Sequence, residues 1–482
     1  MVFTLASSQV NVIRSLVPSR TLIVLTTGAE FSAGSGSNLD PITPTNIQIK
    51  RQTTHGTANV APVTAGSAVL FLQRAKRKIR ELQYNFDVDG FVAPDMTILS
   101  EHVSEGGFVE LAVQQEPDNI IWAVRADGQL CGLTYRREEQ VVAWHRHIIA
   151  GISGAATITV TDFANIATGT TLKITKSDGT LLTFTSEAAG SSSPASALGF
   201  RPNSSNNTTA DNIFTMLNSH ADLTVANPAA NVVTVKETTR AGTGFLSIES
   251  SDTTRLATTN QANALVESVA VLPGDLNEDE VYVVVNRTIN GSTERYIERL
   301  TNIDFGTSAN DAFYVDSGLT YSGTAATTIS GLSHLEGESV TVLANGAAHA
   351  NKTVSSGAIT LDRSATKAQI GLGYTSQLRT MRIEGGSAQG TSQGAIKRIH
   401  DVTFRFFRTV GAKVGSSDTN HDSIPFRSSA DEMGESLDLF TGDKTIEFPN
   451  GYDTDAHVFV KQEQPLPMTV IGIYARMEVF DR

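Results

Sequence analysis

Cysteine occurs once in 482 residues, at Cys131, which excludes an intrachain disulfide framework and any thiolate cage for a metal. Its apolar neighbours assign it the role of a small buried strand residue. No run of 18 or more apolar residues exists, and the start, MVFTLASSQVNVIRSLVPSR, lacks the charged n-region and continuous apolar stretch of a signal peptide. The chain therefore reads as soluble, with no membrane segment and no secretion address. Basic residues are in deficit, 37 against 50 acidic for a net charge of -13. That balance argues against a general affinity for nucleic acid, because proteins that grip phosphate carry a cationic excess to displace counterions. The deficit is uneven: residues 1–150 hold 13 basic and 14 acidic side chains, 151–263 hold 6 and 8, and 264–482 hold 18 and 28. Aromatic residues make up only 7%, helical periodicity is scarce, and neither a P-loop nor a dinucleotide fingerprint is present.

What is abundant is glycine, serine, threonine and asparagine between short apolar runs, the pattern of a mainly β protein. Hydrophobic content of 40% over this length is enough for two to four cores. Residues 120–147, IIWAVRADGQLCGLTYRREEQVVAWHRH, form a β-meander: Asp127-Gly128 suits a tight hairpin turn. Alternation puts Ile121, Ala123 and Arg125 on one face, with Trp122 and Val124 on the other. Such a ribbon needs a layer packed against at least one side.

Related units begin near residues 20, 68, 120 and 279. The first three lie about 50 residues apart, the period of β-propeller blades. The fourth is delayed by residues 151–263, whose composition changes to Thr-rich strands and a Ser/Asn-rich stretch. Within that insert, strands joined at Ser177-Asp178-Gly179 precede a helix NIFTMLNSHA capped by Thr208, Thr209 or Asp211, and a strand ANVVTVKE follows. Removing the insert brings the fourth unit back into register. The expected architecture is a partial β-propeller over 1–150, continued in 264–310, with an inserted small α+β module at 151–263. A β-barrel or sandwich over 311–390 and a terminal β domain over 391–482 complete it. An incomplete propeller leaves open sheet edges that neighbouring copies or another chain must cover.

A search for chemistry assigns no catalytic, cofactor-binding or metal-ligating residue. GTSQG at 390–394 matches the nucleophile-elbow pattern around Ser392, but a Gly-rich loop enters it and a strand leaves, where a strand and a helix are required. His145 and His147 share a strand face, as ligands can, yet no third ligand converges in sequence and a solvated strand end is the simpler reading. GDLNEDE at 274–280 and SDTNHD at 417–422 resemble half of a calcium loop without its glycine and terminal glutamate. The cluster Arg74, Lys76, Arg77, Lys78 and Arg80 reads as a solvated hairpin tip that could meet phosphate. Lys397, Arg398, Arg405 and Arg408 carry the same two readings, with Arg405 alternating between Phe404 and Phe406.

Several segments together resemble the tail nozzle proteins of short-tailed bacteriophages (podoviruses), also called tail tubular protein B or packaged-DNA stabilisation protein. They include RSLVPSRTLIVLTTGAEF, PTNIQIKRQTTHGTANVAPV, VLFLQRAKRKIRELQYNF, PDMTILSEHV, QQEPDNIIWAVRADGQLCGLTYRREEQVVAWHRH, VVVNRTINGSTERYIERL and SGLSHLEGESVTVLANG. The resemblance implies a structural, non-enzymatic virion protein of the tail, assembled in the host cytoplasm as a homo-oligomeric ring, usually a hexamer. Portal and adaptor proteins would sit above it and tail fibre or needle proteins beside or below it. Genomic DNA would pass through without sequence-specific binding. Family members normally have a longer amino-terminal region completing the propeller. The competing expectation is a β-propeller that binds host glycan or degrades polysaccharide. The first needs clustered exposed aromatics, whereas Trp122 and Trp144 both lie inside strands; the second needs two carboxylates about 5–10 Å apart.

Overall fold

In the computed structural model, the described residues are 11–35, 40–147, 149, 156–176, 180–190, 198–229, 231–237, 246–260, 265–274, 278–289, 292–385, 391–429, 431–432 and 436–480. The chain is mainly β, built from many antiparallel sheets, none closed into a barrel among the described residues. It divides into two compact units. One comprises residues 1–149, 264–286 and 295–302; the other comprises 150–263, 287–294 and 303–482.

The first unit contains the sheets that the repeat pattern marks, except residues 287–294 of the fourth. Sheet I is Ile13–Pro18, Leu22–Thr26, Glu30–Ser35 and Ile47–Thr53; sheet II is Val63–Ala65, Ala68–Leu72, Ile79–Asn85 and Gly90–Val92. Sheet III is Phe108–Gln114, Ile120–Arg125, Leu130–Arg136 and Val141–His147. Sheet IV has three strands, Leu265–Leu272, Glu280–Ile289 and Ser292–Arg299. All four are meanders whose strands pair in sequence order. The Asp127-Gly128 turn forms as expected, with Gly128 at φ +82°.

Side-chain alternation then decides the packing, because successive residues of a strand serve opposite neighbours. Val17, Ile23 and Leu25 of sheet I meet Val69, Phe71 and Leu82 of sheet II. The other face of sheet II, with Leu70, Leu72 and Ile79, meets Ile121, Ala123, Cys131 and Leu133 of sheet III. Sheet III turns Ile120, Trp122, Val124 and Leu130 toward Val266, Val269, Val281, Val283 and Val285 of sheet IV. The meander that needed one covering layer therefore has two, which accounts for the burial of every residue from Ile120 to Arg125. Arg125 is accommodated by pairing with Asp127 and donating to the Val103 carbonyl.

Backbone bonds repeat at the seams. Each chain segment entering a sheet bonds to the hairpin of the sheet before: Thr57 N–H donates to Thr26 O (2.8 Å), Phe108 N–H to Lys76 O (2.8 Å) and Val266 N–H to Gly128 O (2.9 Å). The hairpin of the sheet being entered donates back twice, Arg74 N–H to Gly56 O and Ala126 N–H to Gly107 O, both at 2.9 Å. The third junction follows the insert and keeps the same pairing. No hydrophobic cluster among the described residues joins sheet IV back to sheet I.

In the second unit, the elements between Ala156 and Asn260 pair only with one another, in two four-stranded sheets. One core, including Ile158, Leu172, Phe184, Phe200, Ile213, Met216 and Val233, joins both sheets to the helix Asn206–Leu217. That helix starts earlier than the sequence predicts. Ser205 is its N-cap, accepting from Thr208 N–H at 3.1 Å, and Thr208, Thr209 and Asp211 lie inside the first turns. The Ser177-Asp178-Gly179 turn lies outside the described residues.

Further on, Asp316–Ser330 and Ala358–Leu372 form the long part of one four-stranded sheet with Ser339–Ala344 and Ala347–Thr353. Two more sheets face each other over Val402, Phe404, Phe406, Val414, Val458 and Val460. One contains Ile396–Thr409 between Phe440–Glu447 and Val470–Phe480. The other contains Ser376–Arg379, Phe459–Gln462, Lys413–Gly415 and His421–Ser423. Ser376–Arg379 thus pairs with Phe459–Gln462 of the terminal segment, on the near side of the boundary that composition places at 390.

Candidate functional site

The residues that sequence patterns single out are mostly consumed by structure. Ser392 is 1% exposed; its Oγ donates to Glu384 Oε1 at 2.8 Å and accepts from Gly385 N–H. A hydroxyl held this way closes a loop. Asp279 accepts from the backbone N–H groups of Gln115 and Glu116, pinning sheet IV to the turn of sheet III, while Asp275 lies outside the described residues. Asp418 pairs with Lys461. Among the described residues no group of three or more His, Cys, Asp or Glu is placed to hold a metal ion. No helix there is long and apolar enough to cross a membrane.

His145 and His147 depart from the solvated strand end that their spacing suggests. Their rings meet, Nδ1 of His145 lying 2.8 Å from Nε2 of His147, and both pack on Trp122 with centroids 5.8 and 5.0 Å away. Withdrawal from water lowers both pKa values, that of His147 to about 3, where the neighbouring His145 adds to the effect. One ring donates to the other in the neutral pair. Cys131 is fully buried and its thiol is pushed up to about 12 by that burial, so it has no thiolate chemistry near neutrality. Trp122 Nε1 donates to Gln114, and Trp144 Nε1 to the Met96 carbonyl while stacking on Phe108. Neither indole is an exposed platform for a sugar.

The basic groups separate into two kinds. Lys78 is paired with Asp95 (2.9 Å), and Arg80 donates to Gln73 and to the Ala93 carbonyl. Arg74, Lys76 and Arg77, at the hairpin tip itself, are exposed and have no ion-pair partner among the described residues. Lys397 is fully buried, with Nζ donating to the Ile383 carbonyl at 3.2 Å. Arg405 makes a two-point contact with Asp443 (2.8 and 2.9 Å) and lies over Tyr474. Arg476 pairs with Asp401, and Arg408 with Asp304. On the outward face of the strand Ile396–Thr409, Asp401 and Arg405 thus meet opposite charges, whereas Arg398 lies over the Tyr452 ring.

Meander topology distributes charge between the two ends of the first unit. Hairpins 26–29, 73–78 and 125–129 and the connectors entering each sheet lie at one end, as their mutual bonds require; the turns that carry Arg20, Asp87, Glu116, Glu138 and Glu278 lie at the other. That second end carries Asp87, Asp89, Glu116, Asp118, Glu138, Glu139, Glu278 and Asp279 against Arg20, Arg136 and Arg137. The sequence-wide acid count concealed this segregation, which becomes readable once each turn is assigned to an end.

In the second unit, Arg379, Met381, Arg382, Gln393, Asp455 and His457 line an open cleft of about 590 Å³. Arg382 is bridged to Asp455 at 2.8 Å, and His457 Nδ1 lies 2.8 Å from the Thr380 carbonyl. So open a cleft does not exclude water, and its acid and imidazole are already engaged with neighbours. No family model and no curated protein matches the chain.

Proposed function

We propose that the chain is a structural subunit of a phage tail nozzle, a ring-shaped conduit that retains the genome and lets it pass during ejection. The observation that carries this reading is the recurring seam. Sheets I to IV are joined by the same backbone contact three times, with an apolar face given to each neighbour and, among the described residues, no hydrophobic cluster returning from IV to I. Equivalent joints between equivalent sheets make a sector of a β-propeller, and a sector that does not close leaves surfaces for sister copies. The ring would be a homo-oligomer, usually of six, in the virion tail, between portal or adaptor proteins and fibre or needle proteins.

The charge pattern supports a wall past which DNA slides. Residues 264–482 carry 18 basic and 28 acidic side chains, a balance of -10. From 396 onward the exposed Arg405 and Arg476 are answered by Asp443 and Asp401, while Arg398 lies over the Tyr452 ring. A wall with few unanswered cations condenses no phosphate and adds little friction. Electron-microscope class averages of the purified protein test the reading: rings with a central hole are expected. Dispersed monomers that bind host glycan would overturn it in favour of a surface-recognition propeller, and a lysine-rich bore would overturn the low-friction wall.

A further inference from the structure

Sheet II carries an exposed apolar anchor at each of its ends, in opposite electrostatic settings. At one end the turn 85–90 presents Phe86, 85% exposed, and Val88, 63% exposed. The turn is ordered by its own bonds: Tyr84 Oη donates to Asp89 (2.5 Å), Asp87 N–H to Asn85 Oδ1 (2.8 Å) and Asp89 N–H to Phe86 O (3.2 Å). Tyr84 is fixed in turn by edge contact with Phe91 and by Arg20 over its ring. The tip is thus a preorganised projection, bearing an aromatic ring that soluble surfaces seldom leave bare. Asp87 stands beside it, exposed and without an ion-pair partner among the described residues.

At the opposite end, the connector leaving sheet II presents Ile98, 68% exposed, and Leu99, 91% exposed. It is held against the 73–78 hairpin by Met96 N–H bonding to Ile79 O and by Lys78 bridging Asp95 and Glu101. That hairpin carries the unanswered cations Arg74, Lys76 and Arg77.

We propose that these two ends are the halves of one contact between copies of this chain, the Phe86–Val88 tip of one copy seating on the Ile98–Leu99 patch of the next. Asp87 would face the Arg74–Arg77 hairpin. The occupant is a second copy because each end offers an exposed apolar anchor, and the unpaired Asp87 at one end is opposite in charge to the unpaired Arg74, Lys76 and Arg77 at the other, whereas Asp87 would gain no such partner from a copy of its own end. Contacts between different surfaces of identical chains propagate head to tail and close into a ring when the rotation allows. Apolar anchors would supply affinity and the charges orientation and on-rate. This inference rests on the ring reading above and adds the surfaces that would make it.

Light scattering after size exclusion tests it, with wild type run beside Phe86→Ser/Asp87→Lys and, separately, Leu99→Ser. All three positions are exposed, so circular dichroism spectra should match wild type. Both variants are expected to lose the oligomer, shifting the mass to that of one chain, and Asp87→Arg combined with Arg77→Asp should recover at least half of it. Assembly of both variants at wild-type yield would overturn this contact while leaving the ring reading intact. A wild-type chain that stays monomeric at the highest concentration reached would overturn both.

Discussion

Between Ala156 and Leu256 a single hydrophobic cluster ties two sheets to one helix, whereas sheets I to IV are joined pair by pair, by three clusters that each serve a different pair of neighbours. The contrast follows from strand patterning. In the insert, helix and sheets turn their apolar faces inward to a common centre. In sheets II and III both faces are apolar, so each must have two neighbours and the structure extends sideways until something stops it. A one-centre module is expected to melt as a unit. A chain of seams distributes its stability over nearest-neighbour contacts and can take on another member at an end.

The sharpest way to break the comparison is to empty one core of each kind. Phe184→Ala in the insert and Phe71→Ala between sheets I and II remove fully buried rings, each costing about 3–5 kcal/mol. Calorimetry should show separate transitions for the insert and the four-sheet unit, the first variant lowering only that of the insert and the second only that of the four-sheet unit. A shared shift in both variants would mean the two regions fold as one.

A smaller effect is expected at the seam backbone. Gly56 has φ +73°, and a Cβ there would stand 2.2 Å from the Thr27 carbonyl oxygen, so Gly56→Ala should cost about 1–3 kcal/mol. Amide exchange should quicken at Thr57 and Arg74, whose bonds form that joint, and stay unchanged at Phe108 and Val266. Uniform acceleration across all three joints would contradict nearest-neighbour coupling.

Acid should act on the seam between sheets III and IV. The folded pKa values of His145 and His147 lie below the unfolded value near 6.5, so the unfolded chain binds more protons between those limits. The contribution of His147 is whole above pH 6.5 and is lost as the pH falls toward 3, by at most about 1.4 kcal/mol per pH unit, and that of His145 changes in the same direction. His147→Leu should therefore show a smaller drop in Tm between pH 7 and pH 4.5 than wild type; an equal drop would assign the loss to carboxylates elsewhere. The least effect is expected for Arg405→Gln, whose exposed pair with Asp443 competes with water and salt; an unchanged Tm in high salt is the check.

Much of this fold was legible in local pattern. Asp127-Gly128 and the alternation of Ile121 with Trp122 mark the meander because both signals act over a few residues. The meander near residue 279 joins the one near 120 across residues 151–263, as the bond from Val266 to Gly128 shows. What escaped depends on non-local partners. The histidine rings meet each other over Trp122, which lies two strands away in the same sheet. Ser376–Arg379 finds its strand partner some 80 residues later, beyond the reach of any composition shift. Ser205 rather than Thr208 caps the helix because a further turn from Asn206 can form, with Thr209 and Ala210 buried in the module's core. The two-ended charge of sheet II needed the topology first.

The proposed nozzle requires sheets I to IV to be successive members of one rotational series within a larger ring. A cryo-electron microscopy reconstruction of the purified assembly tests it most directly. The account predicts a closed ring around an open channel, with the same rotation about one local axis carrying I onto II, II onto III and III onto IV. Unequal rotations about unrelated axes, or a particle with no channel, would contradict it.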